Sequence, residues 1–267
     1  MISHPVFLKL GGSLITEKGR ARTARPDVLR RLAGEIARAR NESPGLSIVL
    51  GHGSGSFGHT AAQQFGTAGG VRTDEEWRGF AAVWAAADLL NRMVMDSLFS
   101  ANVPAVRIAP SSSGILEDGK LKTFSAEPVA AALAAGLVPV VYGDAVFDRT
   151  RGGGIASTEA VFACLARTLH TQKILLAGIE RGVYADFPAR TSLLHRIRVG
   201  EEESIRDSLA DSADTDVTGG MFTKIREMLE LVRAEDNLEV LVFSGRPAEN
   251  VRRALLGENV EGTLLEK

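Results

Sequence analysis

The 267-residue sequence holds one cysteine, two tryptophans and two tyrosines. Cys164 alone cannot form an internal disulfide or a cysteine-based zinc site, and its apolar surroundings, AVFACLA, read as a buried thiol. A reducing, cytoplasmic setting is therefore the expectation. No stretch approaches the roughly 18 consecutive apolar residues of a spanning helix. The opening MISHPVFLKLGG has no basic start followed by a long apolar region, so neither membrane insertion nor secretion is expected. Charge of one sign is also missing: 31 Lys and Arg stand against 33 Asp and Glu, which offers no global attraction to nucleic acid or anionic lipid. Any anion must be held by a local site. Lysine is scarce as well, seven residues (9, 18, 120, 122, 173, 224 and 267) among the 31 basic ones, so a lysine beside a glycine-rich turn calls for a chemical reason.

What is present is an ordinary globular composition, 45% hydrophobic and 24% charged. Short, nearly continuous apolar runs at 6–10, 47–50, 103–108, 137–143, 173–178 and 238–243 read as buried parallel strands. Between them, amphipathic stretches at 27–40, 75–101, 125–135, 158–169, 203–210, 221–234 and 247–255 read as helices. That order implies an α/β fold, a mainly parallel sheet covered by helices on both faces. Turn residues within 114–124 and 146–156 suggest two hairpins projecting from it. No repeat or linker divides the chain, so 1–267 is expected to form one domain, with lobes at about 1–170 and 171–267 sharing one continuous sheet.

Ligands of open α/β sheets bind beyond the carboxyl ends of strands, and three glycine clusters lie where such ends or helix starts are expected. In KLGGSLITEK, Gly11 and Gly12 permit close backbone approach while Lys9 and Lys18 bring two ammonium groups to one anion; a plain tight turn with solvent-facing lysines is the alternative. GHGSGSFGH, 51–59, is a nest rich in donors. Gly53, Gly55 and Gly58 in it also satisfy G-x-G-x-x-G. The acidic residues 74–76 open a helix and do not end a second strand, which counts against a dinucleotide site. His59 suits a hydrogen bond to phosphate, His52 a structural role, and a metal pair lacks a third ligand. In DTDVTGGMFTK, Asp216 or Thr218 caps a helix opened by Gly219 and Gly220, and Lys224 follows one turn later. An ordinary capped helix start would read the same way.

Three anion sites together suit phosphoryl transfer between two phosphate-bearing molecules, with Lys9, Lys18 and Lys224 as the charge-stabilising set. The P-loop and protein-kinase motifs are absent. The chain resembles the amino acid kinase superfamily and, within it, the isopentenyl phosphate kinases. The resemblance rests on KLGGSLIT with Lys18, HGSGSFGH, VPVVYGD, GVY (182–184), DVTGGM with Lys224, and NVRRALLGENVEGTLL. It implies an open three-layer αβα sandwich, usually a homodimer, whose first lobe binds a prenyl phosphate acceptor and whose second binds ATP with Mg2+. It also implies that isopentenyl phosphate becomes the diphosphate in isoprenoid biosynthesis. The site residues it implies are Lys9, Lys18, His59, Asp144 and Lys224 for catalysis, Asp144 orienting lysines. Lys9, Gly11, Gly12, Gly182, Tyr184, Gly220 and Lys224 would serve ATP. Gly53, Ser54, Gly55, Gly58, His59 and Gly154 would serve the acceptor phosphate, with no protein metal ligand.

Two departures stand out. Where the family reads I-S-G-D, this chain has Ile155, Ala156, Ser157 and Thr158, then Glu159, leaving Asp144 alone or assisted by Glu159. Where the family reads G-T-D-V-D-G-V-Y, positions 177–184 read AGIERGVY. Phe80, Val83, Trp84 and Ala87 recur at helical spacing after the phosphate loop and are read either as core or as a lining for the prenyl tail, Phe80 and Trp84 foremost. Two other readings are a kinase for a phosphonate acceptor of the fosfomycin type and a nucleotide-binding regulator without turnover.

Overall fold

The computed structural model describes residues 4–58, 66–186, 188–206 and 220–267. β1 (Val6–Leu10) passes through a helical turn, α1 (Gly12–Ile15), into α2 (Pro26–Glu42); β2 (Ile48–His52) precedes α3 (Asp74–Ser100). β3 (Ala105–Arg107) and the short α4 (Pro110–Ser113) lead to a hairpin of β4 (Gly114–Glu117) and β5 (Lys120–Phe124). Then come α5 (Glu127–Ala134), β6 (Val138–Tyr142), a second hairpin of β7 (Asp144–Asp148) and β8 (Gly152–Ala156), and α6 (Thr158–Leu169). The remainder holds β9 (Lys173–Gly178), β10 (Val183–Tyr184), β11 (Leu193–Leu194), β12 (Arg196–Arg198), α7 (Gly220–Ala234), β13 (Glu239–Ser244), α8 (Asn250–Leu255) and β14 (Gly262–Glu266).

Eight strands form the main sheet in the order β12-β14-β13-β9-β1-β2-β6-β3. All its pairings are parallel except β13 with β14. Strands before residue 170 and strands after it occupy two contiguous blocks that meet at β1 and β9. Alternate residues of each strand enter opposite cores, as a sheet covered on both faces requires. Leu8, Leu50 and Leu175 pack with Leu32 and Ile36 of α2, Leu90 of α3 and Val251 of α8. Phe7, Val49 and Ile174 pack with Phe162 and Leu165 of α6 and Met228 and Leu229 of α7. This is the αβα sandwich. Among the described residues no helix is long and apolar enough to cross a membrane.

All six expected strands are present, and both hairpins form. Three features go beyond the sequence reading. The two hairpins stand apart from the main sheet and join each other: β4 pairs with β7, and they make a separate four-stranded sheet, β5-β4-β7-β8. β14 was not foreseen because GTLLE is short and carries no turn signal ahead of it beyond one glycine. Of the helix expected at 203–210, the described residues form a 3-10 turn at Glu202–Ile205 followed by a helical Arg206, and 207–210 lie outside the described residues.

Local chemistry sets the element ends. Thr73 and Glu76 form a reciprocal capping box at the start of the 27-residue α3, whose first turn carries three acids. Asp148 closes the second hairpin by accepting from Gly119, Thr150 and Arg151 N–H groups at 2.7–2.8 Å. Glu35 of α2 is fully buried, pairs with Arg31, and accepts from Val251 N at 2.9 Å, capping α8 from outside its own sequence. Arg31 also donates to Gly245 O at 2.6 Å, so this pair ties the first block of the chain to the second. Glu35→Ala strips both the guanidinium and the helix start of their acceptor and should cost about 3 kcal/mol. Urea unfolding of the variant beside the parent measures that loss.

Candidate active site

β1 lies at the point where strand order reverses, with β2 on one side and β9 on the other. Such a switch point opens a crevice at the carboxyl edge. A glycine follows β1, β2, β6 and β13 at this edge, and the ladder continues through them: Gly11 N donates to Ala177 O (2.8 Å), Gly53 N to Leu10 O (3.0 Å), Gly143 N to His52 O (3.2 Å) and Gly245 N to Gly178 O (2.8 Å). The loops after β1 and β2 are pressed together. A Cβ on Gly12 would stand 2.4 Å from Gly55 N, and one on Gly53 would stand 2.8 Å from Gly12 N. Gly55, at φ +48°, would carry a Cβ 2.2 Å from Thr16 Oγ1, so both its conformation and its space demand glycine. Thr16 Oγ1 locks the arrangement by donating to Gly12 O at 2.7 Å and accepting from Ser56 N at 3.0 Å. The result is a backbone cradle of the kind that takes phosphate oxygens.

Lys9, near the end of β1, points its ammonium at Glu159 of α6 in a buried ion pair. Burial acts to raise the Glu159 pKa; the charges of Lys9 and Lys224 and the Lys9 hydrogen bond outweigh it and hold this carboxyl below the usual range. Lys224, half-buried in the second turn of α7, thus belongs to the same electrostatic group. Glu227, one turn further along, is pushed up to about 7 by burial, and then by the Glu159 and Glu230 charges. Lys18 stands exposed on the turn between Thr16 and Ala24, two residues joined by an isolated bridge.

Asp144 starts β7, paired across the hairpin with Ala156 of β8. Its carboxylate accepts from Ser111 N at 3.0 Å and Ala145 N at 2.9 Å, while burial pushes its pKa up to about 6. A small cavity beside it, with room for about one water molecule, is lined by Ser54, Gly58, Val83, Ala87, Gly143, Asp144 and Ile155. Phe80 is buried one helical turn from this lining, against Gly153 of β8. Gly154 packs on Leu116. Trp84 faces outward, 42% exposed, and its indole N–H donates to Ser111 Oγ at 3.1 Å. Beneath the loop that follows β2, His52 lies in a buried polar group. It is stacked on Tyr142 (centroids 5.4 Å apart), it contacts Asn91 at 3.0 Å, and burial pushes its pKa down to about 4. His52 is therefore neutral and structural, as its sequence context suggested.

Gly182 and Tyr184 sit deep in the second half. A Cβ on Gly182 would meet Thr263 Oγ1 at 2.5 Å, and Tyr184 is buried in β10. The unusual Glu180 and Arg181 pair outward with Arg190 and Glu261. Gly220 begins α7. His59, Asp216, Thr218 and Gly219 lie outside the described residues. Ser111 and Asn91 escaped sequence reasoning: one sits in an SSS run and the other inside a helix, and neither context signals a site.

The Amino acid kinase family model matches residues 5–244. The chain is 35% identical over 265 residues to the isopentenyl phosphate kinase of Methanothermobacter thermautotrophicus, spanning 97% of each, and 33% identical to that of Methanocaldococcus jannaschii, spanning 97% of this chain and 98% of that one. A solved isopentenyl phosphate kinase structure superposes with a TM-score of 0.81 at 32% identity, covering 98% of this chain and all of the other. The chain belongs to the amino acid kinase family and, within it, to the isopentenyl phosphate kinases.

Glu227 makes the cluster pH-sensitive. Its folded pKa lies above the ordinary 4.5, so the stability it contributes is fully present below about pH 4.5 and is lost as pH rises through about 7. Glu227→Gln should remove that loss, and thermal unfolding between pH 5 and pH 8 should show a flatter profile than the parent.

Proposed function

We propose that the chain transfers the terminal phosphoryl group of ATP to isopentenyl phosphate, giving isopentenyl diphosphate and ADP. The observation that carries this reading is the junction of two glycine loops at the switch point of the sheet, with a buried lysine beside it. An acceptor phosphate oxygen attacks the terminal phosphorus of ATP, the bond from that phosphorus to its bridging oxygen breaks, and ADP leaves. The acceptor is already anionic near neutrality, its second pKa being about 6, so no strong general base is needed. Catalysis reduces to alignment and to neutralising charge on the group in transit.

In this reading Gly53, Ser54, Gly55 and Gly58 hold the acceptor phosphate, with His59 bonded to it. Gly11 and Gly12 serve the phosphates of ATP, and Lys9, Lys18 and Lys224 stabilise the transferring oxygens. Gly182, Tyr184 and Gly220 belong to the nucleotide side, the lobe 171–267, and the lobe 1–170 takes the acceptor. The close backbone approach at Gly12 and Gly55, which any Cβ would obstruct, fits a nucleotide's phosphates. No protein ligand for Mg2+ is proposed; bound with the nucleotide, the ion would add to the neutralisation of phosphate charge that the three lysines provide. The prenyl group extends toward Val83 and Ala87, with Phe80 behind them, and Gly154 belongs to the hairpin that covers this end. A homodimer in the cytoplasm, acting on a small-molecule prenyl phosphate, completes the proposal.

ADP release with MgATP and a panel of isopentenyl, dimethylallyl and geranyl phosphate, fosfomycin and no acceptor tests it. Turnover confined to prenyl phosphates is expected, with Lys224→Ala abolishing it. Turnover with fosfomycin alone, or ATP binding without turnover, would replace the assignment. Ala87→Leu should depress activity on geranyl phosphate far more than on isopentenyl phosphate, measured as the ratio of the two kcat/KM values. His59→Ala should weaken acceptor use while ATP affinity, read by calorimetry, stays within about twofold.

A further inference from the structure

We propose that Glu159 is the lysine-positioning residue of this kinase: its carboxylate fixes the Lys9 ammonium at the mouth of β1 and attracts Lys224 from α7, so that both charges face the phosphoryl group in transit. The inference rests on the phosphotransfer reading above and adds to it the group that aligns its lysines.

Three features of α6 carry it. Ser157 caps the helix by accepting from Ala160 N at 3.0 Å, which sets the register of the first turn. Thr158 is then committed elsewhere. Its hydroxyl donates to His52 O at 2.7 Å, and its methyl group fills the space where a Cβ on Gly51 would come within 2.6 Å. A carboxylate at 158 would set an anion against the His52 carbonyl, exchanging a donor for an acceptor. The carboxylate therefore enters from the next position, and the extra methylene of glutamate gives it reach toward Lys9. Glu159 is 3% exposed and Lys9 11% along their side chains, so the pair is sheltered from solvent screening.

The charge arithmetic favours catalysis. Two ammonium groups outweigh the one carboxylate between them, and Glu227, its pKa raised to about 7, offsets only part of that positive excess near neutrality. A neutral residue at 159 would let the two lysines repel each other, and without its tether the flexible Lys9 stem would lose its aim. Misplacement of this size costs about 100-fold in rate. Glu159 touches a lysine and not the substrate, so its effect belongs in kcat, with the KM values for ATP and acceptor moving little.

The experiment compares the parent protein with Glu159→Gln and Glu159→Asp. The glutamine variant keeps the shape and still accepts a hydrogen bond, so thermal unfolding checks that the fold survives; the aspartate variant keeps the charge. We expect kcat with isopentenyl phosphate to fall about 100-fold in Glu159→Gln at nearly constant KM, with Glu159→Asp intermediate. In parallel, acetic anhydride labelling read by peptide mass spectrometry follows Lys9 directly, with Lys120 as the exposed control. Loss of the counter-charge lowers the Lys9 pKa and frees its amine, so Lys9 should be acetylated several times faster in Glu159→Gln while Lys120 is unchanged. A glutamine variant with parental kcat, or with parental Lys9 labelling, overturns the proposal. Absence of turnover by the parent on every prenyl phosphate would instead sink the acceptor assignment, and the labelling ratio would still decide the role of Glu159.

Discussion

The structure depends on one close approach: the backbone of Gly12 against that of Gly53 and Gly55. No side chain can intervene there, because a Cβ on any of the three would lie within 3 Å of a backbone or side-chain atom across the junction. Two strands that are neighbours in the sheet thereby deliver their loops to one spot. Thr16 pins them with a single hydroxyl used both as donor and acceptor. The ladder passes through Gly11 and Gly53 themselves, so the loops inherit the rigidity of the sheet. Rigid backbone dipoles at a switch point cost no reorganisation when charge moves past them.

Around that fixed cradle the side chains are arranged by charge. Lys9 and Glu159 meet from a strand and a helix, and the Lys224 field reaches the same carboxylate from a second helix. Asp144, paired across its hairpin with Ala156, is held by N–H donors of Ser111 and Ala145, while Ser54 and Gly58 line the cavity beside it. A buried carboxylate is costly unless paired. The two acids solve this differently, one through a lysine and one through backbone and partial protonation near pH 6.

Much of this was legible in the sequence. Continuous apolar runs such as KILLAG and VPVVY announce strands buried on both faces, and each forms at the expected place. Glycine pairs after such runs mark the crevice because few other demands explain them. Less legible were features that depend on distant partners. β14 is short and owes its place to pairing with β13 and β12. The hairpins carry their own turn signals, yet their union in a separate sheet rests on one β4–β7 pairing that no local pattern encodes. The sequence marks Glu159 only as a candidate to assist Asp144; the fold, by spending Thr158 on the His52 carbonyl and pairing Glu159 with Lys9, shows why the acid stands at that position. The outward pairing of Arg181 with Glu261 likewise joins residues 80 positions apart.

The contact between Trp84 and Ser111 has an optical consequence. The chain has two tryptophans, and Trp77 sits in an aromatic group with Phe80 and Phe147. Trp84 is instead half-exposed, and its indole N–H is bonded to the residue whose backbone N–H holds Asp144. Any event that shifts Asp144 pulls on Ser111 and changes the polarity around that indole. Trp84 is thus a native fluorophore bonded to the rim of the crevice, in a setting distinct from that of Trp77.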